Sequence, residues 1–296
     1  MQVAKRIFLF LALNILIITS ITFFLKITGL DQLLYGYGGN YPMMFIFCLV
    51  WGMGGAFISL LFSKTFAKSA MGVQVIDPRT QDPDTRRLVN LVHDIARKAK
   101  LSTMPEVGIY ESPEVNAFAT GPTKNNSIVA VSTGLLNRMD EEQVTGVLAH
   151  EVSHIANGDM VTLTIVQGVV NAFVMFFTRI IAEMVAKDRD GRVNPAVYYI
   201  VSFVAQIALM FLAIPLITAV SRWREYRADF GSAKLTGKHR MISALRALQN
   251  QTTIDNREPA FNAFKISGKK SHGFMQYFMT HPPLEARIAA LEHARI

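Results

Sequence analysis

Four long stretches of the chain contain no charged residue. They run from Ile7 to Leu25, Gln32 to Ser63, Met160 to Thr178 and Val193 to Ser221. A helix needs about 20 apolar residues to cross a bilayer, so residues 7–25 and 41–62 are predicted to be transmembrane helices. The first stretch has no small-residue cleavage site, and its apolar core is longer than that of a signal peptide. It is therefore predicted to stay attached as a membrane anchor.

The later apolar segments, 161–186 and 196–220, are less uniform. Arg179 and Glu183 interrupt the first near its end, and Gln206 and Pro215 lie inside the second. The pattern is compatible with two more membrane spans or with a hydrophobic helical hairpin that lies partly in the membrane or against a soluble domain. We predict that both segments span the membrane.

The polar parts of the chain predict an α+β domain. Residues 64–160 contain short strand patterns at 72–76, 106–110, 117–120 and 128–132, with helices beginning at Asp82-Pro83 and at Asp140. Residues 221–296 are predicted to be mainly helical. The predicted organisation is therefore 1–63 with two membrane helices, 64–160 and 221–296 as two halves of one domain, and 161–220 as a hydrophobic hairpin between them.

Composition predicts a membrane protein, and the distribution of charge indicates its orientation in the membrane. Hydrophobic residues make up 51% of the chain and charged residues 18%, against about 25% charged in typical soluble proteins. Positive residues flank the apolar stretches, at Lys5, Arg6, Lys64, Lys68, Arg222, Arg224 and Arg227, whereas residues 29–40 have none. The positive-inside rule then places the N-terminus and the segment after Phe62 in the cytoplasm. The net charge of +8 is better explained by this orientation than by nucleic-acid binding.

The only cysteine, Cys48, lies inside the second predicted span. A single cysteine excludes an intrachain disulfide framework. This fits a domain that faces a reducing compartment.

The segment His150–His154 reads H-E-x-x-H within a predicted helix that begins at Asp140 and ends at Gly158. Histidines four residues apart lie on one helix face and can bind the same metal ion. Glu151 points about 100° away around the helix and is better placed to hold a metal-bound water. This arrangement indicates a zinc hydrolase that cleaves peptide bonds, with Glu151 as the general base.

A catalytic zinc ion needs a third protein ligand and one open position. Asn157 and Met160 occupy the positions where a metzincin would have glycine and histidine, so that solution is excluded. Glu225 is the best remaining candidate, with Asp229 one helical turn later as a hydrogen-bond acceptor for a liganded histidine. The alternative is that both acids form surface ion pairs with Arg222, Arg224 or Arg227.

The metal hypothesis restricts the topology. His150 and His154 precede the third apolar segment, whereas Glu225 follows the fourth. All three side chains can meet only if the chain returns to the side it left, so one crossing between them is excluded. Glu225 follows Val220 so closely that the site is also predicted to lie near the membrane surface.

The ordered set of segments resembles the HtpX family of heat-shock zinc metalloproteases of bacterial inner membranes, and more broadly the CAAX-prenyl-protease-like membrane metallopeptidases. The resemblance covers nearly the whole chain. Besides the apolar segments, it includes Val115–Gly121, His150–His154, Glu225–Asp229 and His281–Arg287.

The resemblance implies a gluzincin-type α+β fold, with a small sheet and an active-site helix combined with membrane helices, and one zinc ion on His150, His154 and Glu225. It implies that Asn116, with Ala117 and Phe118, lines the substrate cleft. His281 would stabilise the oxyanion, and Arg287 would support that region. The implied role is cleavage of misfolded membrane proteins under envelope or heat stress, at the cytoplasmic face of the inner membrane.

Two other hypotheses remain open at this stage. The protein could be a membrane chaperone or adaptor with a non-catalytic metal site, in which Glu151 is dispensable. It could also be a CAAX-type prenyl protease, which would require a prenylated substrate. The strand before the H-E-x-x-H helix could bind an extended substrate at its edge, or it could belong to an ordinary hairpin.

Overall fold

A computed structural model describes residues 41–252 and 280–295, together with Ile27. The predicted span at 7–25 lies outside these residues. The helices are α1 (Tyr41–Met71), α2 (Pro83–Lys98), α3 (Thr133–Arg138), α4 (Glu141–Asn157), α5 (Asp159–Ala186), α6 (Pro195–Thr236), α7 (Lys238–Thr252) and α8 (Leu284–His293). The strands are β1 (Gln74–Val75), β2 (Glu106–Tyr110), β3 (Ala117–Thr123) and β4 (Asn126–Ser132).

The described residues divide into two compact units. One, here called the apolar unit, combines residues 41–58 with 164–217. The other, the sheet-containing unit, combines 59–163 with 218–252 and 280–295. Helices α1, α5 and α6 are long and apolar enough to cross a membrane. Each of them contributes residues to both units.

Small residues bring α1 and α5 together inside the apolar unit. A Cβ atom added to Gly52 would lie 2.7 Å from the backbone nitrogen of Ala172, and one added to Gly168 would lie 2.6 Å from Met53 Sδ. Such close approach of backbones is how membrane helices gain van der Waals contact without a hydrophobic driving force. Phe45 adds aromatic contacts with Phe173 and Phe176, at centroid distances of 5.4 and 5.3 Å.

The sheet-containing unit has one four-stranded mixed sheet in the order β1-β2-β4-β3. β2 and β4 are parallel, and the other two pairs are antiparallel. β3 is therefore an edge strand. The end of α1 is fixed to this sheet because Lys64 and Lys68 both form ion pairs with Glu106, at 2.8 and 2.6 Å.

Helix α4 lies at the centre of this unit and is buried from Val144 to Ile155. A capping box starts the helix: the backbone N–H of Gln143 donates to the Asp140 carboxylate, and the backbone N–H of Asp140 donates to the Gln143 side-chain oxygen. Gly158 ends the helix with φ +71°, in the left-handed region that glycine tolerates best. Gly146 permits close contact with α7, because a Cβ there would meet the Arg240 carbonyl oxygen at 2.6 Å. The result is a helix whose central part, which carries the H-E-x-x-H segment, is buried.

Candidate metal centre

His150 and His154 project from α4 towards Glu225 on α6. Their Nε2 atoms are 3.1 Å apart. Glu225 Oε2 lies 3.6 Å from His150 Nε2, and Oε1 lies 3.4 Å from His154 Nε2. These three are the one group of metal-ligating side chains found within mutual reach in the described part of the chain.

The spacing of these atoms fits a tetrahedral ion. Bond lengths of about 2.0–2.1 Å to nitrogen and oxygen place neighbouring ligand atoms about 3.3 Å apart at tetrahedral angles. The three observed separations lie on either side of that value. Two imidazoles and one carboxylate also leave a fourth position open.

The buried charges support the same interpretation. Within the described residues, the buried aspartate, glutamate, lysine and arginine side chains are Glu151, Asp159, Arg224, Glu225, Asp229 and Arg287. With neutral histidines, the four carboxylates exceed the two guanidinium groups by two negative charges. A divalent cation would balance these two charges, and in its absence protons on the two imidazoles can do so.

A carboxylate holds the far side of the first imidazole. Asp229 Oδ1 lies 2.9 Å from His150 Nδ1, where it can accept the ring proton. Arg287 donates to both oxygens of Asp229, at 2.6 and 2.8 Å, and its side chain is fully buried. The sequence predicts that Asp229 accepts a hydrogen bond from one of the two histidines, and in the structure that histidine is His150.

The second imidazole has its own carboxylate, which the sequence argument did not identify. Asp159 Oδ2 lies 2.6 Å from His154 Nδ1, and Asp159 is fully buried. Asp159 begins α5 directly after Gly158, so the tight turn that ends α4 folds it back onto His154. In the sequence, the Gly158-Asp159 pair directly after the predicted helix is the signal that could have identified Asp159 as this partner.

The carboxylates raise the pKa of both histidines in the absence of metal. Burial alone would lower the pKa of His154, but Asp159 and Glu225 outweigh it and raise the pKa to about 10. The pKa of His150 is also raised, because Asp229 and Glu225 outweigh burial. Burial would raise the pKa of Glu225, yet His281 and the two ligand histidines hold it well below its usual range. The metal-free centre therefore carries protons on its imidazoles that an ion must displace.

Glu151 lies on a different side of α4 and is 5% exposed. Burial raises the pKa of its carboxyl, against the lowering effect of His150 and His154. The backbone N–H of Ala119 in β3 donates a hydrogen bond to it. Glu151 therefore connects the edge strand to the helix that carries the histidines.

The Asn116–Phe118 segment enters β3 beside this carboxylate, but its side chains are buried. Asn116 is 2% exposed, and its Oδ1 has no hydrogen-bond partner within the residues described. Ala117 belongs to the main core, and Phe118 packs with Tyr110 in the smaller core cluster. A substrate could therefore contact only the backbone of Ala117 and Phe118. Their side chains belong to the core rather than to the lining of a substrate cleft.

His281 is placed against Glu225, the candidate carboxylate ligand. Its Nδ1 lies 2.9 Å from Glu225 Oε2, although neither atom has a hydrogen bond of good geometry in the described part of the chain. His281 is outside the group whose ligand atoms all lie within 4.8 Å of one another. From this position, His281 can hold Glu225 in place or contact a substrate bound at the candidate metal site.

Comparison with known proteins identifies the family. The family model described as peptidase family M48 matches residues 82–295. A protease HtpX homolog from Bacillus licheniformis is 50% identical over 296 residues, covering 97% of this chain and 99% of the relative. Protease HtpX from Pasteurella multocida is 47% identical over 287 residues, covering 97% of each.

A solved structure also shares the fold. The crystal structure of Ste24p from S. mikatae superposes with a TM-score of 0.58 at 18% sequence identity, over 90% of this chain. The matched region spans 66% of the Ste24p chain. The H-E-x-x-H helix, the small mixed sheet and the three apolar helices are thus those of a membrane metalloprotease, and the chain belongs to peptidase family M48.

Proposed function

We propose that the protein is a zinc-dependent endopeptidase of the bacterial inner membrane, with its active site on the cytoplasmic side, that cleaves misfolded membrane proteins during heat or envelope stress. The convergence of His150, His154 and Glu225 at tetrahedral spacing carries this proposal. Zinc suits a ligand set of two imidazoles and a carboxylate with one open position. The relatives named protease HtpX support a proteolytic activity, and the apolar helices make membrane proteins the substrates that we propose.

When bound, zinc supplies Lewis-acid activation of a water molecule and of the scissile carbonyl. Glu151 accepts the proton of the attacking water and passes it to the leaving amine. Burial favours this role, since a raised pKa lets the carboxyl hold the proton between the two steps. His281 is proposed to donate to the developing oxyanion from its position beside Glu225. Asn116 and the β3 backbone are proposed to orient the substrate chain.

The topology follows from the charge pattern and the position of the ligands. We infer membrane spans at 7–25, 41–62, 161–186 and 196–220, with 64–160 and 221–296 as the two halves of the protease domain. The two crossings between His154 and Glu225 keep these residues on the same side. The positive residues next to the apolar segments make that side the cytoplasm.

Removal and return of the metal tests this function. Purified protein treated with a chelator should lose cleavage of casein or of an unfolded membrane protein, and about one equivalent of zinc per chain should restore it. Substrates with and without a prenylated C-terminal cysteine should be cleaved alike. Activity that survives complete zinc removal would eliminate the metalloprotease mechanism, and cleavage limited to prenylated substrates would favour the prenyl protease.

Zinc affinity should fall as the pH falls. The raised pKa of His154, about 10, means that the metal-free site is protonated at neutral pH and that each bound ion must displace this proton. The dissociation constant should therefore rise about tenfold per pH unit, for each proton displaced, on going from about pH 9 to pH 6. Competition titration with a chromophoric chelator at several pH values measures it. A dissociation constant independent of pH would contradict the protonated metal-free state.

A further inference from the structure

Two chains of contacts hold the imidazoles from behind, and each consists of a histidine, a carboxylate and an arginine. They are His150–Asp229–Arg287, here the first triad, and His154–Asp159–Arg224, the second triad. We propose that Asp159 and Arg224 form a positioning pair that orients the second zinc histidine and sets the zinc affinity of the site. The inference rests on the zinc function proposed above and assigns a role to two residues outside the H-E-x-x-H and Glu225–Asp229 segments.

Asp159 fixes which nitrogen of His154 faces the metal position. Its Oδ2 lies 2.6 Å from His154 Nδ1, so the Nδ1 proton is the one that the carboxylate accepts. The lone pair of Nε2 then points towards His150 and Glu225. Because Asp159 is fully buried, no solvent competes for this contact.

Arg224 provides the charge that a buried carboxylate requires. Its Nε lies 3.7 Å from the same Oδ2 that contacts His154, and the side chain is 8% exposed. The contact is looser than the two-pronged contact of Arg287 with Asp229, at 2.6 and 2.8 Å. Arg224 therefore acts on Asp159 mainly through its charge, whereas Arg287 also fixes the geometry of its carboxylate.

The second triad draws on two helices that continue into apolar segments. Asp159 is the first residue of α5, and Arg224 follows closely after the apolar part of α6 and directly precedes Glu225. One short segment of α6 thus supplies both a metal ligand and the arginine that neutralises Asp159. The orientation of His154 depends on the spacing of α5 and α6 at this point, whereas His150 is held by α6 and α8.

Variants of the full-length protein test the positioning pair through metal binding. Asp159→Ala should weaken zinc binding by about 10–100-fold, the range typical of lost partners of metal-ligating histidines. Asp159→Asn should weaken zinc binding less, since the amide oxygen can still accept a hydrogen bond from His154 Nδ1. Arg224→Gln should weaken zinc binding only a few-fold, because Arg224 lies at a longer distance from its carboxylate. In the Asp159→Asn background, Arg224→Gln should weaken zinc binding almost no further, because the negative charge that Arg224 compensates is gone.

The readouts are zinc competition titration and the visible absorption of the cobalt-substituted protein, which reports ligand geometry without turnover. Arg227→Gln is the matched control, since that guanidinium lies on the same helix over the exposed Trp223, 5.0 Å from the ring centroid. It should leave both readouts unchanged. If Asp159→Ala does not fold, Asp159→Asn decides the question, with the melting temperature of the metal-free protein recorded beside its affinity.

Zinc affinities of Asp159→Ala and Asp159→Asn within about twofold of wild type, with an unchanged cobalt spectrum, would overturn the positioning role. Loss of thermal stability alone, with unchanged affinity, would assign Asp159 a structural role and would also overturn it. Absence of zinc binding by the wild-type protein would instead refute the proposed function itself, so the two failures are distinguishable.

Discussion

Replacing Glu151 with glutamine should abolish peptide cleavage while leaving the metal centre loaded. The amide has the shape of the carboxyl group and can still accept the hydrogen bond from the Ala119 N–H. It cannot accept the proton of the attacking water, and general acid–base catalysis contributes about 10²–10⁴-fold to such reactions. The rate of casein cleavage by the purified protein should fall by that factor, and elemental analysis should still find zinc.

Glu142→Gln is the control for this experiment. Glu142 lies in the first turn of the same helix, where its carboxylate is exposed and faces Arg240 at 3.6 Å. Its replacement should leave the cleavage rate unchanged. A Glu151→Gln protein that keeps half of the wild-type rate would rule out Glu151 as the base, and full complementation of a deletion strain by Glu151→Ala would favour the chaperone or adaptor hypothesis.

Replacing Arg287 with methionine should destabilise the sheet-containing unit more than any surface change. Arg287 is fully buried and donates two hydrogen bonds to the Asp229 carboxylate, which is itself 1% exposed. Removing one partner of a buried ion pair typically costs about 3–5 kcal/mol, because the other charge is left unpaired. Zinc affinity should fall as well, since Asp229 would no longer be held behind His150.

Thermal unfolding of the purified variant in detergent measures this loss. The control is Arg246→Met, which removes the exposed ion pair between Arg246 and Glu292 at 2.9 Å and should cost no more than about 1 kcal/mol. The double variant Arg287→Met/Asp229→Leu should recover only part of the stability, because Asp229 is removed with its partner but Glu225, 3.5 Å from Arg287, still loses its contact. A melting temperature of Arg287→Met equal to that of Arg246→Met would contradict the account of a buried charge cluster.

Local chemistry made α4 predictable from the sequence. The Asp140–Gln143 capping box and the left-handed Gly158 are contacts between near neighbours, so their residue types specify them directly. The convergence of Glu225 with the two histidines could be inferred only after the H-E-x-x-H spacing had suggested a metal ion. The H-E-x-x-H spacing by itself gives no information about which residues pack opposite the helix.

Other parts of the site depended on packing that the sequence does not express. Asp159 reaches His154 through the turn at Gly158, which departs from the three- and four-residue spacing of a helix face. Arg224 sits in a positively charged segment next to the membrane, where an exposed role is the simpler expectation, yet it is 6% exposed. Similarly, the sequence does not reveal that Phe118 packs inward on Tyr110 rather than towards a cleft.

The order in which the ribosome delivers the parts of the metal centre has a consequence for the nascent chain. Arg287, which neutralises Asp229 behind His150, is synthesised about 130 residues after His154. At translation rates of about 5–20 residues per second, this delay is roughly 7–30 s. During that interval His150 lacks the arginine behind its carboxylate, so we expect a partly made or prematurely terminated chain to bind zinc less tightly than the complete protein.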